Sequence, residues 1–229
     1  MKSIPTIADV AQYWDRDPCN VVHIDAEPGT EEFFMKHALM KYQAEPHVRR
    51  FADFPAWNEK RVLELGCGIG ADTIQFALAG ASVTAIELST ESVELTRKRA
   101  SLYFVEERVR VIVGNIERLD QYLGPRVYDL IYCYGVLHHT PRPERVVEQL
   151  PSFSAKGITT LRLMLYNKWS PRGIKVRLGL GETEFISGCP IAELYSRNDV
   201  RELLGQQWEI TEMRTANYGW NLLVTACRI

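Results

Sequence analysis

Three glycines fall within five positions of the segment ELGCGIGADT. Gly66, Gly68 and Gly70 follow the short apolar run RVLEL and precede residues with helical spacing. Glycine lets the backbone approach a ligand closely, and the first turn of the following helix offers unpaired N–H groups and a positive dipole end. The segment therefore predicts a site for the charged part of a nucleotide-like ligand.

Two ligands suit this turn. Taken as G-x-G-x-x-A with Ala71 in the last position, the segment is a dinucleotide fingerprint. Taken as G-x-G-x-G behind the acidic Glu64, it suits a turn that holds S-adenosylmethionine. Glu87 stands 21 residues after Gly66 and can grip a ribose diol, but both cofactors contain a ribose. The turn and this acid leave the choice open.

Two adjacent histidines, His138 and His139, follow another apolar run, LIYCY. Neighbouring loop residues rarely aim at one ion, and no acidic or cysteine partner has ligand spacing nearby, so we expect no metal site. We expect one histidine to fix the loop through a backbone hydrogen bond. The other is a candidate general base, because imidazole titrates near neutral pH, and we choose His139 for this role. Tyr13 and Tyr134 are further candidates for contact with the reacting groups.

Four basic residues with no acid among them fall between positions 168 and 177. Such a run usually forms a solvated face, but at the mouth of an active site it would hold an anionic acceptor. The four residues are Lys168, Arg172, Lys175 and Arg177.

The elements that must position these residues alternate along the chain. Apolar and β-branched runs predict strands at residues 61–66, 81–88, 109–115, 127–135, 157–167, 208–215 and 220–229. Helical spacing and capping residues predict helices at residues 33–42, 71–80, 89–104, 143–150 and 197–205. This order predicts an α/β fold, a doubly wound Rossmann-like sheet of seven strands. The C-terminal hairpin adds one antiparallel strand.

Two segments fall outside this alternation. Residues 1–60 are expected to form a helical lid, and residues 167–196 an insertion after the fifth strand, on the substrate side of a domain that spans residues 61–229. Both would lie near the carboxyl edge of the strands, where such sheets bind ligands.

Composition narrows the class of protein. The net charge of −2 argues against electrostatic binding of nucleic acid. The five scattered cysteines contain no CxxC pair, which indicates free thiols in a reducing cytosol. No apolar stretch of about 18 residues is present, so no membrane span or membrane partner is expected. The N-terminal residues lack a signal-peptide core, so we expect a cytoplasmic protein.

Four segments resemble, in order and spacing, the successive motifs of class I S-adenosylmethionine-dependent methyltransferases. These segments are LELGCGIGADT, AIELS, GNIE and YDLIYCYGVLHHTP. The resemblance covers roughly residues 61–166 and is greatest to the branch with an LHHTP-like loop, which includes many small-molecule methyltransferases. The segments YWDRDPCN and SGCP resemble a subset of bacterial members. The resemblance implies S-adenosylmethionine as cofactor and S-adenosylhomocysteine as product.

The resemblance also assigns residues to the cofactor site: a glycine motif for the methionyl part, an acid for the ribose and a pocket for adenine. These residues are Tyr13, Glu64, Gly66, Cys67, Gly68, Gly70, Asp72, Thr73, Glu87, Leu88, Asn115, Ile116 and Tyr134. Aspartate is commoner in the family than Asn115, which keeps hydrogen-bonding capacity but loses the charge. The candidates for catalysis are His139, His138, Tyr134 and Tyr13.

The implied function is N-, O- or C-methylation of a small molecule, with the lid and the insertion building the acceptor pocket. One alternative is a methyltransferase that acts on RNA or protein, against which the absence of a basic patch counts. Another is a regulatory protein that binds the cofactor without turnover. An NAD-dependent reductase is disfavoured because no Tyr-x-x-x-Lys pair stands in a plausible place.

Overall fold

The computed structural model describes residues 5–16, 18, 21–181 and 189–229. Its strands are β1 (Arg61–Leu65), β2 (Ser82–Glu87), β3 (Val109–Val113), β4 (Leu130–Tyr134), β5 (Thr160–Tyr166), β6 (Trp208–Ala216) and β7 (Asn221–Arg228). They form one sheet in the order β3-β2-β1-β4-β5-β7-β6. Strands β1 to β5 pair in parallel, and β7 is antiparallel to both β5 and β6. The predicted Rossmann-like fold and its antiparallel hairpin are confirmed.

The helices of the described residues are α1 (Ile7–Arg16), α2 (Glu31–Ala44), α3 (Val48–Ala52), α4 (Ala71–Leu78), α5 (Thr90–Leu102), α6 (Pro143–Gln149), α7 (Pro171–Arg177) and α8 (Arg197–Leu204). Local capping explains several starts. The hydroxyl of Thr30 accepts from Phe33 N, and that of Ser89 accepts from Ser92 N. Ser196 forms a capping box with Asp199 at the start of α8. All five predicted helices are present, with ends shifted by a few residues.

Helices cover both faces of the sheet because the strands are apolar on both faces. Successive residues of β1 show this: Leu63 and Leu65 pack in the layer that contains α6 and α8, whereas Val62 packs with α3 and α4. All three side chains are fully buried. Because β1 to β5 run in parallel, they end at one edge of the sheet, where the glycine turn follows β1.

Some sequence features fall outside the described residues. Residues 17, 19 and 20 of the segment YWDRDPCN belong there, as do residues 187 and 188 of SGCP. Within the described ranges, no helix combines the length and the apolar character that crossing a membrane requires.

Candidate active site

Two adjoining cavities open at the carboxyl edge of β1 to β4. The smaller, of about 140 Å³, is lined by the residues that follow the first four strands. The larger, of about 500 Å³, is lined by aromatic and polar side chains from α1, α2 and the C-terminal half. Six residues line both cavities: Trp14, Lys41, Cys67, Tyr134, Gly135 and His139. We call the smaller one the donor cavity and the larger one the acceptor cavity.

The glycine turn forms one end of the donor cavity, which Gly66 and Gly68 line directly. Gly66 has φ of 74°, and a Cβ there would overlap the side chain of Val136. Gly70 has φ of 77° and precedes α4, where a Cβ would lie 2.7 Å from a methyl group of Thr96. These positions require glycine because a side chain would be both strained and obstructed. Gly70 shapes the turn without lining either cavity.

Glu87 ends β2 and lines the donor cavity with its carboxylate held by backbone amides. Gly68 N donates to Oε2 and Ser89 N donates to Oε1, each at 2.9 Å. Burial raises the pKa of Glu87, and these backbone hydrogen bonds oppose the rise. The acid therefore links the glycine turn to the end of β2 and has a fixed orientation.

A buried group of acids lies where α4 begins. Asp72 accepts hydrogen bonds from Lys41 Nζ at 2.8 Å, Tyr42 OH at 2.9 Å and Tyr132 OH at 3.0 Å. Burial, and then repulsion from Asp72, raise the pKa of Glu64 to about 8. Glu64, Asp72 and Lys41 line the donor cavity. Its wall thus combines a charged pair with a carboxyl group that is protonated at neutral pH.

Thr73 is fully buried and donates its hydroxyl to Glu64 Oε2 at 2.6 Å. It lines neither cavity, so it contacts a ligand only through Glu64. At the far end of the donor cavity lie Leu88, Asn115 and Ile116. The Oδ1 atom of Asn115 accepts from Glu117 N at 2.9 Å, which starts a short 3₁₀ turn and fixes the amide.

The paired histidines occupy different environments. His138 has no exposed surface, lines neither cavity, and its ring centroid lies 3.8 Å from that of Tyr166. Burial, and then its neighbour His139, lower the pKa of His138 well below its usual value. The structure therefore does not bring His138, a sequence-based candidate for catalysis, to the cavities, because it packs under the loop.

His139 lines both cavities, and its Nδ1 atom lies 2.6 Å from the carbonyl oxygen of Ile191. A carbonyl oxygen can only accept, so Nδ1 carries a proton and Nε2 is the basic nitrogen of the neutral ring. The backbone hydrogen bond that we expected from one histidine thus belongs to His139 itself.

The two candidate tyrosines are also at the cavities. Tyr134 ends β4 and lines both cavities, and its hydroxyl donates to Glu45 Oε1 at 3.0 Å. Tyr13 lines the acceptor cavity, and its ring packs edge-on against Trp14, with centroids 5.0 Å apart.

Comparison with known proteins identifies the domain. Residues 57–167 match a family described as a methyltransferase domain. The curated relatives include the ubiquinone biosynthesis O-methyltransferase of Bordetella pertussis, 33% identical over 98 residues, which are 43% of this chain and 39% of that protein. The mitochondrial enzyme of the same name from Schizosaccharomyces pombe is 34% identical over 94 residues, 41% of this chain and 33% of that protein. The match thus spans well under half of either relative.

Solved structures extend the likeness in fold. Magnesium protoporphyrin IX methyltransferase from Synechocystis, with S-adenosylhomocysteine bound, superposes with a TM-score of 0.71 at 18% identity, covering 98% of this chain and 100% of that one. Geranyl diphosphate C-methyltransferase from Streptomyces coelicolor gives a TM-score of 0.66 at 14% identity, covering 99% and 100%. Residues 57–167 therefore form a methyltransferase domain, and the chain has the fold of these two methyltransferases, as the sequence predicted. The Synechocystis enzyme was solved with S-adenosylhomocysteine and with S-adenosylmethionine bound, which supports the predicted cofactor.

Several residues at the cavities of this methyltransferase domain lie outside every motif that the sequence offered. Most come from the N-terminal segment, and the others from the end of β5 and the start of β7. They are Ile7, Val10, His23, His37, Lys41, Glu45, Tyr166, Trp220 and Asn221. Only the helical spacing of residues 33–42 hinted that Lys41 faces the domain.

The basic run after β5 lies outside both cavities of the methyltransferase domain. Lys168 pairs with Asp199 at 3.6 Å. The guanidinium of Arg172 lies 4.6 Å from the ring centroid of Trp220, and that of Arg177 lies 4.5 Å from the ring centroid of Trp169. Of these, only Trp220 lines the acceptor cavity. An anionic acceptor held by this run therefore stays a prediction.

Proposed function

We propose that this protein transfers a methyl group from S-adenosylmethionine to a hydroxyl oxygen of a small molecule. The observation that carries the proposal is the tautomer of His139. Its Nδ1 proton is engaged by the Ile191 carbonyl at 2.6 Å, and the ring lies where donor and acceptor cavities meet. A hydroxyl acceptor needs proton removal more than an amine does, and the unprotonated Nε2 of this tautomer can accept that proton. The names of the O-methyltransferase relatives support the same choice.

The residues of the donor cavity fit the cofactor. The cavity has backbone N–H groups and acids at one end, the Glu87 carboxylate along its wall, and apolar and amide groups at the other end. The N–H groups and acids match the amino-acid group of the cofactor, the Glu87 carboxylate matches its ribose, and the apolar and amide groups match its adenine. We assign Gly66 and Gly68 to the methionyl part, Glu87 to the ribose, and Asn115 with its apolar neighbours to the adenine. When bound, the cofactor supplies an electrophilic methyl group on a sulfonium.

The chain's own residues then have three tasks. The acceptor cavity orients the small molecule against the shared wall, which includes Tyr134. His139 Nε2 takes the hydroxyl proton as the oxygen attacks, and the Ile191 carbonyl stabilises the resulting imidazolium through Nδ1. Trp14 and the rest of α1 cover the shared wall and exclude water, since Ile7, Val10 and Trp14 line the donor cavity. Residues 1–60 thus act as the proposed lid.

The test is methyl transfer from radiolabelled S-adenosylmethionine to a metabolite extract, with and without nuclease or protease treatment. We expect label in a small molecule that gains a methyl ether, whatever the treatment. Label that nuclease or protease treatment removes from the large-molecule fraction would identify RNA or protein as the substrate instead. Tight binding of S-adenosylhomocysteine without any transfer would favour a regulatory protein. A cytoplasmic location stays a prediction.

A further inference from the structure

Four polar side chains from distant parts of the chain meet at the wall of the acceptor cavity. Glu45 caps the end of α2, His47 precedes α3, Tyr134 ends β4 and Asn221 begins β7. Tyr134 OH lies 3.0 Å from Glu45 Oε1 and 2.8 Å from His47 Nε2. Asn221 Nδ2 lies 2.8 Å from Glu45 Oε1 and 3.3 Å from Tyr134 OH. We call these four residues the polar cluster.

The hydrogen bonds of the polar cluster have one direction. A carboxylate only accepts and the amide nitrogen of Asn221 only donates, so both Tyr134 and Asn221 donate to Glu45 Oε1. His47 Nε2 lies 2.8 Å from the hydroxyl of Tyr134 and 3.2 Å from Asn221 Nδ2. Burial, and then Arg214, lower the pKa of His47. The donors therefore converge on Glu45.

This arrangement fixes one oxygen of Glu45 and leaves the other for a ligand. Both donated bonds go to Oε1, and no described residue contacts Oε2 within hydrogen-bond distance. Glu45 lines the acceptor cavity, and Asn221, which is 1% exposed, anchors the cluster to the sheet. Burial raises the pKa of Glu45, and Lys41, Asn221 and Tyr134 oppose the rise. A hydrogen-bond donor on a ligand would then bond to Oε2, as Tyr134 and Asn221 bond to Oε1.

The rest of the acceptor cavity shows what kind of molecule brings that donor. Glu45 is the one carboxylate among the described residues that line it. The lysine that lines this cavity, Lys41, is already paired with Asp72 at 2.8 Å. Aromatic rings form much of the remaining wall, contributed by Tyr13, Trp14, Tyr134, Tyr166 and Trp220. Such walls suit a flat, largely apolar body.

We propose that Glu45 binds a hydrogen-bond-donating group of the acceptor, a hydroxyl or a protonated amine, that is separate from the oxygen to be methylated. The acceptor is then a flat molecule held at two points, by Glu45 at one and His139 at the other. The proposal rests on the proposed function, because it places the acceptor in this cavity. It assigns Glu45 a role in specificity rather than in the chemical step.

The experiment compares four phenols by ligand-observed NMR titration of the full chain. They share the phenol ring and carry an ethyl, a hydroxyethyl, an aminoethyl or a carboxyethyl group in the para position. We expect the hydroxyethyl or the aminoethyl phenol to bind at least about tenfold more tightly than the ethyl phenol. The tighter of the two identifies the donor as hydroxyl or ammonium. Equal binding of all four, preference for the carboxyethyl phenol, or no binding at millimolar concentration would overturn the proposal.

Variants locate the effect at Glu45. E45A should abolish the preference over ethyl phenol, whereas E45Q, which retains an acceptor oxygen, should weaken a preference for the amine most. Glu31→Gln, an exposed change on the same helix, is the matched control and should leave the order unchanged. A preference that survives E45A, or E45M if E45A does not fold, would refute the assignment, because both changes remove the acceptor oxygens.

The methyl-transfer assay, carried out beside the phenol titrations, distinguishes the two proposals. If the phenols keep the expected order but no methyl transfer is found, the proposed function fails and the Glu45 site stands. If transfer is found and the phenols show no order, the Glu45 site fails alone.

Discussion

Glu64 offers a direct test of the electrostatics at the donor cavity. Its side chain is 3% exposed and its pKa is raised from the ordinary 4.5 to about 8, by burial first and by Asp72 second. The folded state therefore holds a proton that the unfolded chain has already released between these two pH values. Stability should fall as pH rises through this window, because ionised Glu64 is penalised only in the folded state. Replacement by glutamine keeps the size and removes the titration.

The magnitude follows from the shift. Each unit of pKa difference corresponds to about 1.4 kcal/mol, so ionising Glu64 costs the folded protein about 4 kcal/mol between about pH 5 and pH 9. At pH 5 wild type and Glu64→Gln should differ little from this cause, and the cost of replacing the carboxyl group by an amide is the same at each pH. Between pH 5 and pH 9, the difference in free energy of unfolding between the two proteins should shift by about 4 kcal/mol in favour of the variant.

Urea unfolding at several pH values, followed by circular dichroism, measures the effect. The variant's free energy of unfolding should decline less with pH than that of wild type. Glu148→Gln, an exposed change on α6, serves as the matched control and should leave the slope as in wild type. Identical slopes for wild type and Glu64→Gln would show that Glu64 is already ionised at neutral pH and that the reasoning from burial is wrong.

Three further predictions concern binding and turnover. Glu87→Ala should weaken S-adenosylhomocysteine binding by roughly 1.5–3 kcal/mol, the range for hydrogen bonds to a charged group, and an unchanged calorimetric affinity in a folded variant would contradict the ribose assignment. His139→Ala should lower kcat by on the order of 10²–10⁴ with little change in cofactor affinity. A parallel fall in cofactor affinity would instead make His139 a loop anchor. Gly66→Ala should abolish cofactor binding, because the new methyl group would overlap Val136, and retained binding by calorimetry would refute that account.

The fold could be predicted well because its signals are local. Each parallel strand is a short apolar run, and Ser89 and the glycine turn mark the starts of helices. Strand ends were less accurate: β4 begins at Leu130, three residues after the predicted start, although Asp129 N still donates to Arg61 O of β1.

The donor cavity was also largely predictable, because its residues follow strand ends within one stretch of sequence. The acceptor cavity was not. Lys41, Glu45 and Asn221 belong to no motif, and each acquires its role only from a tertiary contact. His138 and His139 could not be told apart by sequence, since only packing decides which ring faces the core and which reaches the cavities.

The hydrogen bond between Glu45 and Asn221 spans 176 positions of the chain. It joins two segments that both lie outside residues 57–167, the range that matches the methyltransferase domain family. During evolution, residues 57–167 can therefore keep the donor cavity while the flanking segments diverge. The two flanks cannot diverge independently, because a new residue at position 45 removes the shortest hydrogen bond of the amide at 221. Recombination that exchanges one flank alone should produce chimaeras that retain the cofactor and lose the acceptor, whereas exchange of both flanks should carry the acceptor preference with it.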